Sequence, residues 1–185
     1  MGYFPLCLDL TGKTVILVGN GKQIQRKMEL LRSFGCDLRQ RDTLKDADLD
    51  CGPAFVVVGD LPYSQAAEAA GLCAARNIPV NVVDIPELCG FFVPALIREG
   101  DLTVSVSTGG RNPGAAAWLR EQIQRCIPDN TDLILDWLGH IRQMLRSTYP
   151  GRYAPVLRKI TEAAFEKNRP LTETELEKIM ESTDL

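Results

Sequence analysis

The 185-residue chain has one histidine, His140, and its six cysteines never fall at C-x-x-C spacing. That argues against a protein-ligated structural zinc site. Cys7, Cys36, Cys51, Cys73, Cys89 and Cys126 read instead as free, mostly buried thiols of a reducing compartment, and a cytoplasmic location is expected. No apolar run approaches the roughly 20 residues of a membrane span. The opening "MGYFPLCLDL" lacks the basic start of a signal peptide. Nor is there a basic tract: 24 acidic residues face 21 basic ones, which gives no footprint for nucleic acid. Repeats and low-complexity segments are also missing. What remains is ordinary globular composition, 45% apolar and 24% charged, long enough for a sizeable core.

Against that background the chain is well punctuated. "KTVILV" (13–18) is an apolar run ended by Gly19 and reads as a buried strand. Ile24, Met28, Leu31 and Phe34 follow at helical spacing, with Gly35 as the stop. Strand, glycine turn and helix make the first half of a βαβ unit. "CDLRQRD" offers only a short, exposed edge strand, and "TLKDADLDCG" a polar connection. "AFVVVGD" is a clear strand, Pro62 to Arg76 an alanine-rich helix, and "IPVNVVD" a strand ending at Asp84. Such runs, alternating with helices, predict a parallel sheet.

The pattern changes after Ile85. Leu102, Val104 and Val106 alternate with Thr103, Ser105 and Ser107, which predicts a half-exposed strand. Asn112 fits a helix N-cap and Pro113 the first helical position. The remainder is helical. One apolar stripe runs through Ile134, Trp137, Leu138, Ile141, Met144 and Leu145, and a second through Tyr153, Val156, Leu157, Ile160 and Ala164. Thr172 and Glu175 form a capping box, with Leu171 and Leu176 as its staple. His140 lies at the edge of the first stripe and reads as structural.

Four stretches fit together: "YFPLCLDLTGKTVILVGNGKQIQRK", "IPVNVVDIPELCGFFVPALIREGDLTVSVSTGG", "NPGAAAWLREQI" and "LDWLGHIRQMLRSTYP". Their order and spacing resemble the precorrin-2 dehydrogenase / sirohydrochlorin ferrochelatase family, the siroheme synthase N-terminal module. No methyltransferase domain follows, so the chain looks like a stand-alone form. The resemblance implies an α/β fold: a Rossmann-like NAD-type domain over 1–85, a dimerisation region over 86–112 and an α-helical C-terminal domain over 113–185. It implies a homodimer that oxidises precorrin-2 to sirohydrochlorin with NAD and, in some members, inserts ferrous iron as a substrate.

Site residues follow from residues and resemblance together. Asp84 ends a parallel strand at its carboxyl end, where open α/β sheets bind ligands. It matches the family's "NVVD" aspartate. Dehydrogenation releases a hydride and a proton, and metal insertion displaces two pyrrole protons, so one carboxylate could accept protons in both. Burial would help tune it. By position alone, Asp84 equally fits a turn cap ahead of Pro86. Asn81, Ser107, Thr108, Gly109, Gly110 and Arg111 are the candidate substrate-binding residues. Exposed N–H groups at a helix start, with Arg111 beside them, suit a polycarboxylate, although the loop also reads as a plain tight turn.

The cofactor side departs from the family. Its usual loop, G-G-G-x-V-A-x-R-K, is here Gly19-Asn20-Gly21-Lys22-Gln23-Ile24-Gln25-Arg26-Lys27. Gly19, Asn20, Gly21, Lys22, Gln23 and Asp60 are the candidate cofactor-binding residues. The third small residue of such a fingerprint lets helix and strand approach closely. A branched Ile24 is expected to push the helix away or re-aim its N-terminus. An acid about 20 residues further on should meet the ribose; Asp37 and Asp42 are the candidates, neither ending a convincing strand. The family's additional strand and helix before "AFVVVGD" are missing, the connection being only Arg39 to Pro53. These departures leave three readings: the dehydrogenase, a metal chelatase or tetrapyrrole-binding protein that has lost NAD, and a non-catalytic nucleotide-sensing module. The last fits worst, because it needs an intact glycine loop.

Overall fold

A parallel sheet with helices on both faces organises the first half of the chain. The computed structural model describes residues 3–183. It divides into two compact units, one up to Val93 and one from Pro94 onward.

In the first unit the order is β1 (Thr14–Val18), α1 (Lys22–Arg32), β2 (Asp37–Arg41), β3 (Phe55–Val58), α2 (Tyr63–Ala75) and β4 (Val80–Val82). The four strands are all parallel, in the spatial order β2-β1-β3-β4. Successive side chains of a strand point to opposite faces. Ile16, Val18, Val56, Val58, Val80 and Val82 accordingly pack with Ala66, Ala69, Ala70 and Cys73 of α2. Val15, Leu17, Phe55 and Val57 pack on the other face with Ile24 and Leu31 of α1. Each large aliphatic side chain so buried contributes about 1.5–3 kcal/mol. The predicted doubly covered sheet is therefore present.

Three details differ from the sequence reading. The polar connection contains a 3-10 turn over Asp46–Cys51. Arg76, at the end of α2, clamps that turn through ion pairs with Asp46 and Asp50. The strand "IPVNVVD" stops at Val82, so Asp84 lies in the following turn. Only Cys73 is buried; Cys36 and Cys89 are half-buried, and Cys7, Cys51 and Cys126 are exposed. All six are free, as expected.

The second unit opens with an antiparallel hairpin of β5 (Ala95–Glu99) and β6 (Leu102–Val106). Gly100 turns it with φ +56, and a Cβ there would lie 2.8 Å from that of Asp132. The helices α3 (Pro113–Gln124), α4 (Thr131–Thr148), α5 (Ala154–Glu166) and α6 (Glu173–Glu181) follow. Ile134, Leu138 and Leu145 of α4 and Val156, Ile160 and Ala164 of α5 form a buried cluster with Leu171. The two expected stripes thus face each other. The capping box on α6 is formed: the Thr172 hydroxyl accepts from the Glu175 N–H, and the Glu175 carboxylate accepts from the Thr172 N–H. No helix among the described residues is long and apolar enough to cross a membrane.

Candidate functional site

Parallel strands deliver their carboxyl ends to one edge of the sheet, which is the ligand-binding edge of such folds. Here that edge carries Gly19 after β1, Asp42 after β2, Asp60 after β3 and Asp84 after β4. Asp42, directly behind Arg41, therefore holds the position expected of a ribose-binding acid, and β2 does end in front of it. Asp37 begins β2 at the opposite edge, where its carboxylate pairs with Arg39 at 2.8 Å.

The glycine loop is close-packed. Gly19 has φ +110, and a Cβ on it would stand 2.1 Å from the carbonyl oxygen of Gly59. Only glycine fits there. Ile24 is accommodated in the packing between α1 and the sheet. It is fully buried, and Gly59 makes the room: a Cβ on Gly59 would meet Ile24 Cδ1 at 3.2 Å. The bulk that Ile24 adds on the helix is thus removed from the facing turn. Gln40, which sequence reasoning passed over, donates from Nε2 to the Gly19 carbonyl at 2.8 Å. Asn20 and Lys22 stand exposed on the loop.

Gly21 is the N-cap of α1 and supplies no side-chain acceptor. Asp60 supplies one from outside the helix. Its Oδ2 accepts from the N–H of Gln23 at 3.1 Å and from that of Ile24 at 3.2 Å. A Cβ on Gly21 would sit 2.3 Å from the Asp60 carboxyl carbon, so this approach requires glycine at 21. The side chain of Gln23 then donates from Nε2 to Asp84 Oδ2 at 2.8 Å.

Asp60 and Asp84 occupy equivalent places. Val58 and Val82 are register partners at the ends of β3 and β4, and each aspartate comes two residues later. Both adopt the left-handed conformation, with φ 58 and φ 63. Aspartate tolerates that region better than most residues. The two carboxylates thus flank one residue, Gln23, which binds the first through its backbone and the second through its side chain. Asp84 is exposed, so the desolvation expected for it is absent from the chain by itself.

Asn81 is buried in the middle of β4. Its amide nitrogen donates to the Phe91 carbonyl at 3.0 Å, tying the segment after Asp84 back onto the sheet. Cys89 helps: its sulfur accepts from the Val82 N–H at 3.2 Å, and its thiol lies 3.1 Å from the Val82 carbonyl. Desolvation pushes this thiol above its ordinary range. Half-buried Lys27, on α1, is held below the ordinary lysine range by the same effect.

The loop from Ser107 to Asn112 belongs to the second unit. Gly109 and Gly110 both have positive φ, +63 and +79. The Thr108 hydroxyl accepts from the Asn112 N–H at 3.2 Å and lies 3.1 Å from the Asn112 carbonyl. Ser107 Oγ accepts from the Gly109 N–H. Asn112 caps α3 as expected, its Oδ1 accepting from the Ala115 N–H at 3.0 Å. A side chain at 110 would meet nothing within 4 Å, and exposed Arg111 forms no ion pair among the described residues. His140 is also exposed; its Nδ1 is 3.0 Å from the Asp136 carbonyl one turn earlier on α4.

Comparison with known proteins agrees with this architecture. Residues 6–95 match the family model described as putative NAD(P)-binding. The siroheme synthase of Psychrobacter sp. (strain PRwf-1) is 31% identical over 90% of this chain and 38% of its own length. That of Thiobacillus denitrificans (strain ATCC 25259 / T1) is 35% identical over 69% of this chain and 31% of its own. The chain spans about a third of the length of these curated relatives. The solved structure of SirC, precorrin-2 dehydrogenase, superposes with a TM-score of 0.64 at 15% identity, covering 98% of this chain and 99% of that one, a likeness of fold. On sequence, fold and the NAD(P)-type domain together, the chain belongs to the precorrin-2 dehydrogenase / siroheme synthase N-terminal-module family.

Proposed function

We propose that this protein works in siroheme biosynthesis in the cytoplasm, oxidising precorrin-2 to sirohydrochlorin with NAD, and that Asp84 is its proton acceptor. The reading rests on one observation above all. An aspartate held at the carboxyl end of β4 is hydrogen-bonded to the first turn of the helix that follows the glycine loop. Proton acceptor and dinucleotide loop thus share one edge of one sheet.

The residues present fit a dinucleotide. Gly19 and Gly21 carry no side chains of their own, the Asp60 carboxylate lies beside Gly21, and Asp42 stands at the ribose position. Asn20, Lys22 and Gln23 line the turn. The N–H groups of Gln23 and Ile24 are the donors that a pyrophosphate would take. Asp60 holds them in the chain by itself, so its carboxylate has to give way. A bound NAD would supply the hydride acceptor. Asp84 takes the accompanying proton, and the same carboxylate can take pyrrole protons displaced if ferrous iron is inserted as substrate. Ser107, Thr108, Gly109, Gly110 and Arg111 contact the acidic side chains of the macrocycle, Arg111 by a charge-assisted pair. Asn81 keeps the turn behind Asp84 in place. Residues 86–112 form the dimerisation region between the NAD-type domain over 1–85 and the helical domain over 113–185.

Anaerobic conversion of precorrin-2, followed by absorbance with NAD or NADP, tests the reading. Asp84→Asn should lower turnover by about 10²–10⁴-fold, the scale of general-base catalysis, with an unchanged circular dichroism spectrum. Turnover at the wild-type rate in that variant would remove Asp84 from the chemistry. The Asp60 contact favours a second reading, a chelatase or tetrapyrrole-binding protein without dehydrogenase activity. Calorimetry separates the two: absence of NAD and NADP binding at millimolar cofactor would leave only the second.

A further inference from the structure

Gln23 stands where the family pattern has an apolar residue. Its backbone N–H is held by Asp60 at 3.1 Å, and its side-chain Nε2 reaches Asp84 at 2.8 Å. Both aspartates leave their strands at the same register, in the same left-handed conformation. An Asp84 side chain in a turn, exposed and without a Gln23 amide beside it, would have several staggered rotamers open to it. The Nε2 donor selects the one directed at α1.

We propose that Gln23 is a positioning residue for Asp84, fixing the proton acceptor against the dinucleotide loop. The inference rests on the catalytic reading of Asp84. It adds that this chain orients the carboxylate through a side-chain amide on the cofactor helix. A ligand that displaces Asp60 from the Gln23 N–H then acts on the same residue that holds Asp84.

Gln23→Met tests this in the full-length chain, because methionine keeps the length and the backbone N–H while removing the amide donor. The expected result is a split. The kcat falls roughly tenfold, the scale expected for one hydrogen bond to a charged group, and falls by more than the calorimetric NAD(P) affinity does. A second readout does not depend on turnover. The side-chain amide resonance of Gln23, assigned by its loss in Gln23→Met, should shift in Asp84→Asn. Three results are decisive. An amide resonance indifferent to Asp84→Asn overturns the contact. A wild-type kcat in Gln23→Met, with Asp84→Asn inactive, overturns the positioning role and leaves the catalytic reading standing. Full activity in Asp84→Asn removes the catalytic reading itself, whatever the resonance does.

Discussion

Two glycine turns in this chain lead into helices, and they are closed in opposite ways. At the start of α3 every polar partner is local. Ser107, Thr108 and Asn112 bind backbone groups no more than four residues away. At the start of α1 the acceptor comes from 36 and 37 residues away, and the next partner is 61 residues from Gln23. The first turn is written into one short stretch of chain. The second exists only after β1, β3 and β4 have been laid side by side. A turn of the second kind can transmit a change from one strand end to another; a turn of the first kind answers only to its own helix.

The largest expected effect breaks the long-range turn from beneath. Ile24 is fully buried over Gly59, so Ile24→Ala leaves a cavity where strand, turn and helix meet. It should destabilise the chain by about 2–5 kcal/mol, read as a lower urea midpoint. An unchanged midpoint would mean that Ile24 and Gly59 are not packed as a pair. On the sequence alone, Ile24 is expected to crowd the strand; the glycine facing it at 59 makes room for its side chain.

Asp60→Asn comes next. Asparagine tolerates the left-handed conformation but lacks the charge. The α1 N-terminus would then no longer face a negative charge, and the dinucleotide should bind roughly two- to fivefold more tightly, the scale of one charge at a helix end. Calorimetry with NAD and NADP measures it. Weaker or unaltered binding would show that the carboxylate and the pyrophosphate do not compete.

What was legible in the sequence follows the same division. β1 and β3 are buried on both faces and therefore read as continuous apolar runs, and the helical stripes of α4 and α5 repeat at their own period. The cap at Asn112 and the box at Thr172 were visible because all their parts lie within a few residues. β5 was not resolved, because "ALIRE" is short and follows Pro94 without a clear alternation. The Asp60–Gln23–Asp84 connection was not legible at all. It depends on Val58 pairing with Val82 and on the separation of β1 from β3, quantities that no local pattern carries. The end of β2 in front of Asp42 was not legible, since β2 is too polar to announce it.

The local turn has its own test. Asn112→Ala removes the one side-chain acceptor on the first turn of α3 and should cost about 1 kcal/mol, read as a lower melting temperature. Dinucleotide affinity should not move. A change in that affinity would contradict the view that this turn acts only on its own helix.

The smallest effect is expected at Glu175, the other locally built cap. Arg169 donates to its carboxylate from two nitrogens at 2.9 Å, the Thr172 N–H donates at 2.9 Å, and Lys167 stands 3.0 Å away. The guanidinium first, then the N–H and the ammonium, hold this carboxyl well below the usual glutamate range. A carboxyl depressed in the folded state adds stability above its ordinary value, near pH 4.3. That stability is lost as the pH falls toward the folded value. Glutamine keeps the capping-box acceptor but not the charge, so Glu175→Gln isolates the ionic part. The melting temperatures of variant and wild type should differ at pH 7 and draw together progressively as the pH falls from about 4 toward the folded value. Water reaches these groups, so the gap should be small. A gap that persists undiminished in acid would assign the contribution of Glu175 to geometry rather than to charge.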